Sequence, residues 1–215
     1  MTLVLPFTDS SCDAALPHVQ RVLAAHGVVA LPTETYYGLA VRPTDEEALR
    51  RLVEVKDRPP DKPLLVLIGA PEQLVPLVEA ITPAASLLME WFWPGPLTIV
   101  FPAASGLSPL LTAGSGTVGV RWSPLPVLQR LLTHTGPLTG TSANRSSEPP
   151  LADPGAVQDI LGSSIDLILD GGLSPGGPAS TVIDACEGPR LLRAGVIATD
   201  RIRAVLERSG YTLSS

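Results

Sequence analysis

DAALPHVQRVLAAHGVVALPTETYYGLAVRPTDEEALRRLV, residues 13–53, decides the fold class. Leu16, Val19, Val22 and Leu23 fall on one face of a helix over residues 13–26, and Gly27 stops it. Val28-Val29-Ala30-Leu31 follows as a short buried strand, ended by Pro32. Thr44 to Glu47 then fits a capping box, with Thr44 as the cap. Ala48, Leu49, Leu52 and Val53 give the helix behind it an apolar stripe, and Pro59-Pro60 ends it. Helix, strand and helix within so short a span is the rhythm of an α/β domain.

The same rhythm continues outward. Leu64–Ile68, Leu97–Phe101, Thr117–Trp122, Asp166–Asp170, Ser180–Asp184 and Arg190–Leu192 read as strands, with another near Leu138. Glu72–Ala80, Pro83–Trp91 (capped by Thr82) and Val127–His134 read as helices; a short one opens at Asp153-Pro154 and a last one, capped by Thr199, ends near Gly210. Interleaving throughout predicts a twisted mixed sheet with flanking helices. With no repeat and no linker, one domain over residues 1–215 is the simplest organisation, and Tyr211–Ser215 reads as a loose tail.

Composition narrows the function. The chain has 215 residues, 45% hydrophobic and 17% charged, a balance that supports a core and excludes general disorder. No apolar run reaches the ~18–20 residues that span a bilayer, so no membrane role is expected. The amino-terminal MTLVLPFTDSSCD has no basic residue before its apolar stretch and makes a poor secretory signal. Cys12 and Cys186 form no disulfide framework, which leaves the cytoplasm as the expected compartment. A formal net charge of −6 argues against broad adhesion to nucleic acid. The only two lysines, Lys56 and Lys62, lie with Arg58 in one segment, KDRPPDKP, which points to a place where an anion is held.

There is no P-loop and no dinucleotide fingerprint, and His18, His26 and His134 are too scattered for a metal centre. Gly172-Leu173-Ser174-Pro175-Gly176 spells the nucleophile-elbow pattern, but Gly177-Pro178 follow where a helix is required, so it reads as a flexible turn. Polar residues instead gather beside strands: Thr33, Glu34 and Thr35 after the first, Lys56/Arg58/Lys62, Arg121, Ser142 and Asn144 within TSAN, Ser180-Thr181, and Arg193. Polar groups at strand ends make the usual crevice of open α/β sheets. Each also has a plain structural reading: Lys56 suits a helix C-terminus, TSAN suits a turn, and the arginines suit surface ion pairs.

Taken in order, these segments become recognisable. PTETYYGL at 32–39, KDRP at 56–59, KPL at 62–64, WPGPLT at 93–98, VGVR at 118–121, TSAN at 141–144, STVID at 180–184 and LLRAG at 191–195 resemble the YrdC/Sua5 family of threonylcarbamoyl-adenylate synthases. The K-x-R and S-x-N elements that mark active members are present as Lys56/Arg58 and Ser142/Asn144. The resemblance runs from about Ala15 to Val196. It implies the short, single-domain form: a YrdC-like core at about 15–196, a C-terminal helix at about 200–209, and no extra Sua5 C-terminal domain.

It further implies a concave basic site where threonine and bicarbonate give an N-carboxylated threonine that attacks the α-phosphate of ATP. By position, Lys56 and Arg58 are the catalytic candidates, Lys56 for transition-state charge. Arg58, Lys62, Thr117, Ser142, Asn144 and Arg193 are the ATP-binding candidates, and Thr35, Arg121 and Ser180 those for threonine. Mg²⁺ is expected on the ATP phosphates with no protein metal site, and the product is expected to pass to the tRNA threonylcarbamoyl-transfer machinery for t6A37 modification. Leu67 and Leu125 depart from the family at positions that often carry histidine. Two other readings follow from the resemblance: a YrdC-like RNA-binding protein without synthase activity, and carbamoyl-adenylate chemistry with another acceptor.

Overall fold

The computed structural model of the protein describes residues 2–59 and 61–214. Its strands are β1 (Leu3–Pro6), β2 (Val29–Leu31), β3 (Gly38–Ala40), β4 (Leu65–Ile68), β5 (Leu97–Pro102), β6 (Thr117–Trp122), β7 (Leu138–Thr139), β8 (Thr141–Ser142), β9 (Leu167–Asp170), β10 (Thr181–Asp184) and β11 (Arg190–Arg193). Its helices are α1 (Cys12–Ala24), α2 (Glu46–Lys56), α3 (Pro83–Phe92), α4 (Pro109–Thr112), α5 (Pro126–Thr135), α6 (Pro154–Leu161) and α7 (Thr199–Arg208). The fold is α/β as expected, but the strands form two mixed sheets rather than one. The first runs β1-β9-β2-β3-β8 and the second β11-β10-β5-β6-β4-β7.

The chain crosses from the second sheet to the first at Gly140, between β7 and β8. A side chain there would put its Cβ 2.5 Å from Leu67 Cγ, so the crossing needs glycine. Leu67 is itself fully buried, packed with Leu128, Leu131, Leu132 and Leu138 in one of two hydrophobic clusters. The other cluster includes Ile99, Phe101, Val118, Val120 and Ile183 from the second sheet.

Several local expectations are corrected. Asp45, not Thr44, caps α2: its carboxylate accepts the Ala48 N–H at 3.1 Å from an extended backbone, and an acidic cap also suits the helix dipole. That helix ends at Lys56, where Asp57 turns left-handed (φ 50°), before the prolines; Pro60 lies outside the described residues. The helix expected over Glu72–Ala80 shrinks to a 3-10 turn, Pro71–Leu74, because Pro76 has no N–H to continue it. Thr199 is the first helical residue of α7, behind Ala198 as the cap, rather than the cap itself. β1, read only as a poor signal segment, pairs parallel with β9 at the sheet edge. Thr82 and Asp153 cap α3 and α6 as expected.

Candidate active site

The second sheet follows strand alternation. In β5, Leu97, Ile99 and Phe101 point into the core, while Thr98 and Val100 face a cavity; in β6, Val118 and Val120 point inward, while Thr117, Gly119 and Arg121 face that cavity. Val182 and Asp184 of β10 continue the same floor. The cavity, about 850 Å³, is closed by Thr33, by Thr35, Tyr36, Tyr37 and Gly38, and by Thr141 and Ser142 of the first sheet. Four guanidinium side chains reach it, Arg58, Arg121, Arg190 and Arg193, against two carboxylate residues, Glu148 and Asp184.

Arg193 is there because of an irregularity. In the β10–β11 pairing, Val182 faces Arg193 while Ile183 faces Leu191, so Leu192 is an extra residue. Without that bulge the alternation would turn Arg193 away; with it both Leu192 and Arg193 border the cavity. Arg193 donates through Nε and Nη2 to Ser180 O at 3.2 and 2.9 Å, and through Nη2 to Ser180 Oγ at 3.1 Å. Ser180 Oγ also meets Thr98 Oγ1 at 2.9 Å. Gly195 lets the strand end lie against this segment, since a Cβ would come 2.2 Å from Ala179 O. Burial, and then the charge of Arg121, lower the Arg193 pKa from its ordinary value.

Arg121 is 4% exposed and its Nε lies 3.0 Å from Glu34 Oε1. Neither atom has an aligned hydrogen bond, so the contact is a charge pairing rather than a directed bond. Burial lowers the Arg121 pKa, and Glu34 opposes that shift. Thr35 is buried beside it, its hydroxyl 3.1 Å from Thr33 Oγ1. Thr117 Oγ1 lies 2.9 Å from Ser115 Oγ at another part of the lining.

Arg58 follows the left-handed turn at Asp57. It donates to Lys62 O at 3.0 Å, Pro63 O at 2.7 Å and Thr141 Oγ1 at 3.3 Å, which holds the guanidinium at the cavity wall. Lys62 contributes that carbonyl, while its side chain is exposed and outside the lining.

Lys56, a catalytic candidate from sequence, lies behind the cavity wall. Its side chain is 2% exposed, and it is not part of the lining. Its ammonium donates to Ser142 O at 2.5 Å, Asn144 O at 2.8 Å and Asn144 Oδ1 at 3.3 Å. Three donors meet three acceptors, so none remains for a phosphate. Burial, and then the charge of Arg58, push its pKa down to about 8. Lys56 thus holds the turn carrying Ser142 and Asn144, both of which do line the cavity. Asn144 is fixed further by Ser142 Oγ, which donates to its Oδ1, and by its own Nδ2 donating to Arg145 O and Glu148 O at 2.9 and 2.7 Å.

Of the residues expected from sequence, Thr35, Arg58, Thr117, Arg121, Ser142, Asn144, Ser180 and Arg193 meet at one cavity; Lys56 and Lys62 do not reach it. Tyr36, Glu148, Asp184 and Arg190 also line it and were missed. Alternation along STVID was the available signal for Asp184; nothing local marks Glu148. Leu67 does not border the cavity, so its departure from the family does not by itself remodel the lining. Ser174, in the rejected elbow pattern, is 8% exposed, whereas an elbow presents its hydroxyl openly. Among the described residues, no helix is long and apolar enough to cross a membrane.

A profile of the Sua5/YciO/YrdC family, described as telomere recombination, matches residues 21–195. The chain is 40% identical to a threonylcarbamoyl-AMP synthase of Pyrococcus abyssi over 83% of its own length, but it spans only 53% of that protein. It is also 40% identical to a threonylcarbamoyl-AMP synthase of Vibrio vulnificus, over 84% of this chain and 98% of that one. The crystal structure of P. abyssi Sua5 complexed with L-threonine superposes with a TM-score of 0.86 at 32% identity, covering 99% of this chain and 62% of that one. By the profile, the relatives and the two-sheet fold together, this chain belongs to the Sua5/YciO/YrdC family.

Proposed function

We propose that this chain is an L-threonylcarbamoyladenylate synthase, a nucleotidyltransferase that converts L-threonine, bicarbonate and ATP into threonylcarbamoyl-AMP, pyrophosphate and water. The observation that carries the reading is the joint placement of Arg58, Arg121 and Arg193 around one cavity with the hydroxyls of Thr35, Thr117, Ser142 and Ser180 between them. Substrates with several anionic groups need such a set, and relatives at 40% identity bear the synthase name.

Arg121 receives the threonine carboxylate, a planar partner that suits a guanidinium. Thr35 and Ser180 complete the threonine contacts, and a hydroxyl-lined site disfavours amino acids that leave a buried polar group unpaired. Arg58, Ser142 and Asn144 serve the phosphates, Thr117 and Arg193 the rest of the nucleotide, and Lys62 supplies the carbonyl that holds Arg58 at the wall. Lys56 acts through the 142–144 turn and is a positioning residue. The new carboxylate oxygen of N-carboxythreonine bonds to the α-phosphorus. The bond from that phosphorus to the bridging oxygen breaks, and its electron pair leaves with pyrophosphate. Developing charge on the leaving group is what fixed guanidinium groups stabilise.

Among the described residues, no three His, Cys, Asp or Glu side chains gather to hold a metal ion. Of the lining carboxylates, Asp184 is engaged by the Arg190 guanidinium and the Cys186 N–H, each at 3.0 Å. Mg²⁺ enters with the substrate on the triphosphate oxygens, where it neutralises phosphate charge. The adenylate is passed in the cytoplasm to a separate threonylcarbamoyl-transfer system that makes t6A in tRNA.

The test is pyrophosphate release from ATP with threonine or bicarbonate omitted in turn. Release that needs both supports the synthase. Release in which threonine is replaceable assigns another acceptor, and no release from folded protein together with salt-sensitive RNA binding favours the RNA-binding reading.

A further inference from the structure

Glu34 occupies a place the reaction does not account for. It stands between two lining residues, Thr33 and Thr35, yet is itself absent from the lining. Its side chain is 10% exposed. Oε2 accepts from Ser123 Oγ at 2.7 Å, and Ser123 is fixed in turn: its carbonyl accepts from Gln129 Nε2 at 2.7 Å. Oε1 has no hydrogen-bond partner and lies 3.0 Å from Arg121 Nε. Arg121 is therefore approached on its Nε edge by a buried carboxylate, while the residue borders the cavity. Arg193 lines the same cavity, and its positive charge and that of Arg121 repel each other.

A lone buried guanidinium facing a second cation would be driven to move or be strongly disfavoured. The carboxylate behind it offsets that repulsion and holds the Nε edge by charge. We infer that Glu34 is a positioning residue: held by Ser123, it fixes Arg121 by its Nε edge so that the remaining guanidinium nitrogens are presented to the carboxylate of the amino-acid substrate. This rests on the proposed synthase reading, in which Arg121 takes that carboxylate. It assigns the fixed carboxylate of PTETYYGL to substrate recognition through another residue, and to no contact with substrate.

The test is steady-state pyrophosphate release at varied threonine and varied ATP, with melting to confirm the fold of each variant. Glu34→Gln keeps the shape and removes the charge. It raises the threonine KM about ten- to a hundredfold, the scale of one charge-assisted interaction, while the ATP KM moves less than about twofold. Glu34→Asp restores the charge and recovers part of the threonine affinity. Ser123→Ala, which frees Oε2 but keeps the charge, raises the threonine KM by about threefold or more. In an Arg121→Gln background, Glu34→Gln adds less than about twofold, since the residue it positions is gone.

Equal rises in both KM values, an effect of Glu34→Gln that persists without Arg121, or an unchanged threonine KM in a folded Glu34→Gln protein would each overturn the inference. If the unaltered chain neither binds threonine nor needs it for release, the synthase reading fails and this inference with it. That outcome is distinct, because it is seen before any variant is made.

Discussion

Replacing Lys56 by methionine separates catalysis from stability. The substitution keeps the apolar stem and removes a buried ammonium that donates to Ser142 O, Asn144 O and Asn144 Oδ1. Two of those acceptors keep a second donor. Ser142 O still receives Asn144 N at 3.0 Å, and Asn144 Oδ1 still receives Ser142 Oγ. Asn144 O loses its donor, at a cost of about 1–3 kcal/mol for one buried unsatisfied carbonyl. Against that, a lysine whose pKa falls from 10.5 to about 8 carries an unfavourable charged form in the fold. Removing it returns on the order of 3 kcal/mol at neutral pH.

The two effects nearly cancel, so Lys56→Met shifts Tm by no more than about 6 °C, at about 3 °C per kcal/mol for a chain of this size. Activity has no such compensation. The turn bearing Ser142 and Asn144 loses its anchor, and a displacement near 1 Å costs about 100-fold in kcat/KM. The pH dependence has a definite sign. Below about 8 both folded and unfolded Lys56 are charged and the penalty is complete. Between about 8 and 10.5 the unfolded chain binds more protons, so the unaltered protein gains stability relative to Lys56→Met as pH rises. Denaturant titrations of both proteins at pH 7 and 10, with pyrophosphate release at pH 7, measure all of this. A variant with full activity, a Tm lower by more than about 15 °C, or a stability difference that does not change with pH would refute the reasoning.

Other outcomes follow from single contacts. Arg58→Lys, which cannot span Lys62 O, Pro63 O and Thr141 Oγ1 with one compact ammonium, weakens ATP binding by about tenfold or more in calorimetry, with little change in Tm. Gly140→Ala drives a Cβ onto Leu67 Cγ, at 2.5 Å, and lowers stability by about 1–3 kcal/mol in urea titration; Gly140→Ala with Leu67→Ala recovers part of it. Asp45→Ala removes the α2 cap and costs about 1 kcal/mol. Because the Asp45 hydrogen bond raises the His26 pKa above 6.5, that pair's contribution is present below 6.5 and fades as pH rises through the folded value. Cys186, pushed up to about 12 by burial and then by Asp184, and Cys12, raised by burial, stay protonated at pH 8, so iodoacetamide labels the native chain far more slowly than the unfolded one.

The fold class was legible because it depends on local period. The stripes of α1 and α2, the apolar runs of β4 and β9, and the caps Thr82 and Asp153 are set by neighbours a few residues away. The ordered motifs also contain seven residues that now share one cavity, with Thr117 added by the resemblance, since polar residues at strand ends converge in sheets of this kind. Composition and pattern alone supported an α/β chain with a small anion-binding crevice; the assignment of its lining residues came from the family resemblance.

Tertiary structure decided the rest, through contacts between segments far apart in sequence. The division into two sheets turns on Gly140, where one chain passes over Leu67 from a strand 73 residues earlier. Lys56 looked like a free cation beside Arg58, and only the approach of residues 142–144 consumed its three donors. Arg193 faces the cavity because of one extra residue in β11, a register that depends on its partner strand and has no local signature. Glu34 was visible as a carboxylate, but its pairing with Arg121 and Ser123 exists only once β6 is laid beside the turn after β2. Periodicity and caps act over a few residues and can be read from one chain; register, crossing points and the partners of buried charges are set by other strands and appear only in the folded molecule.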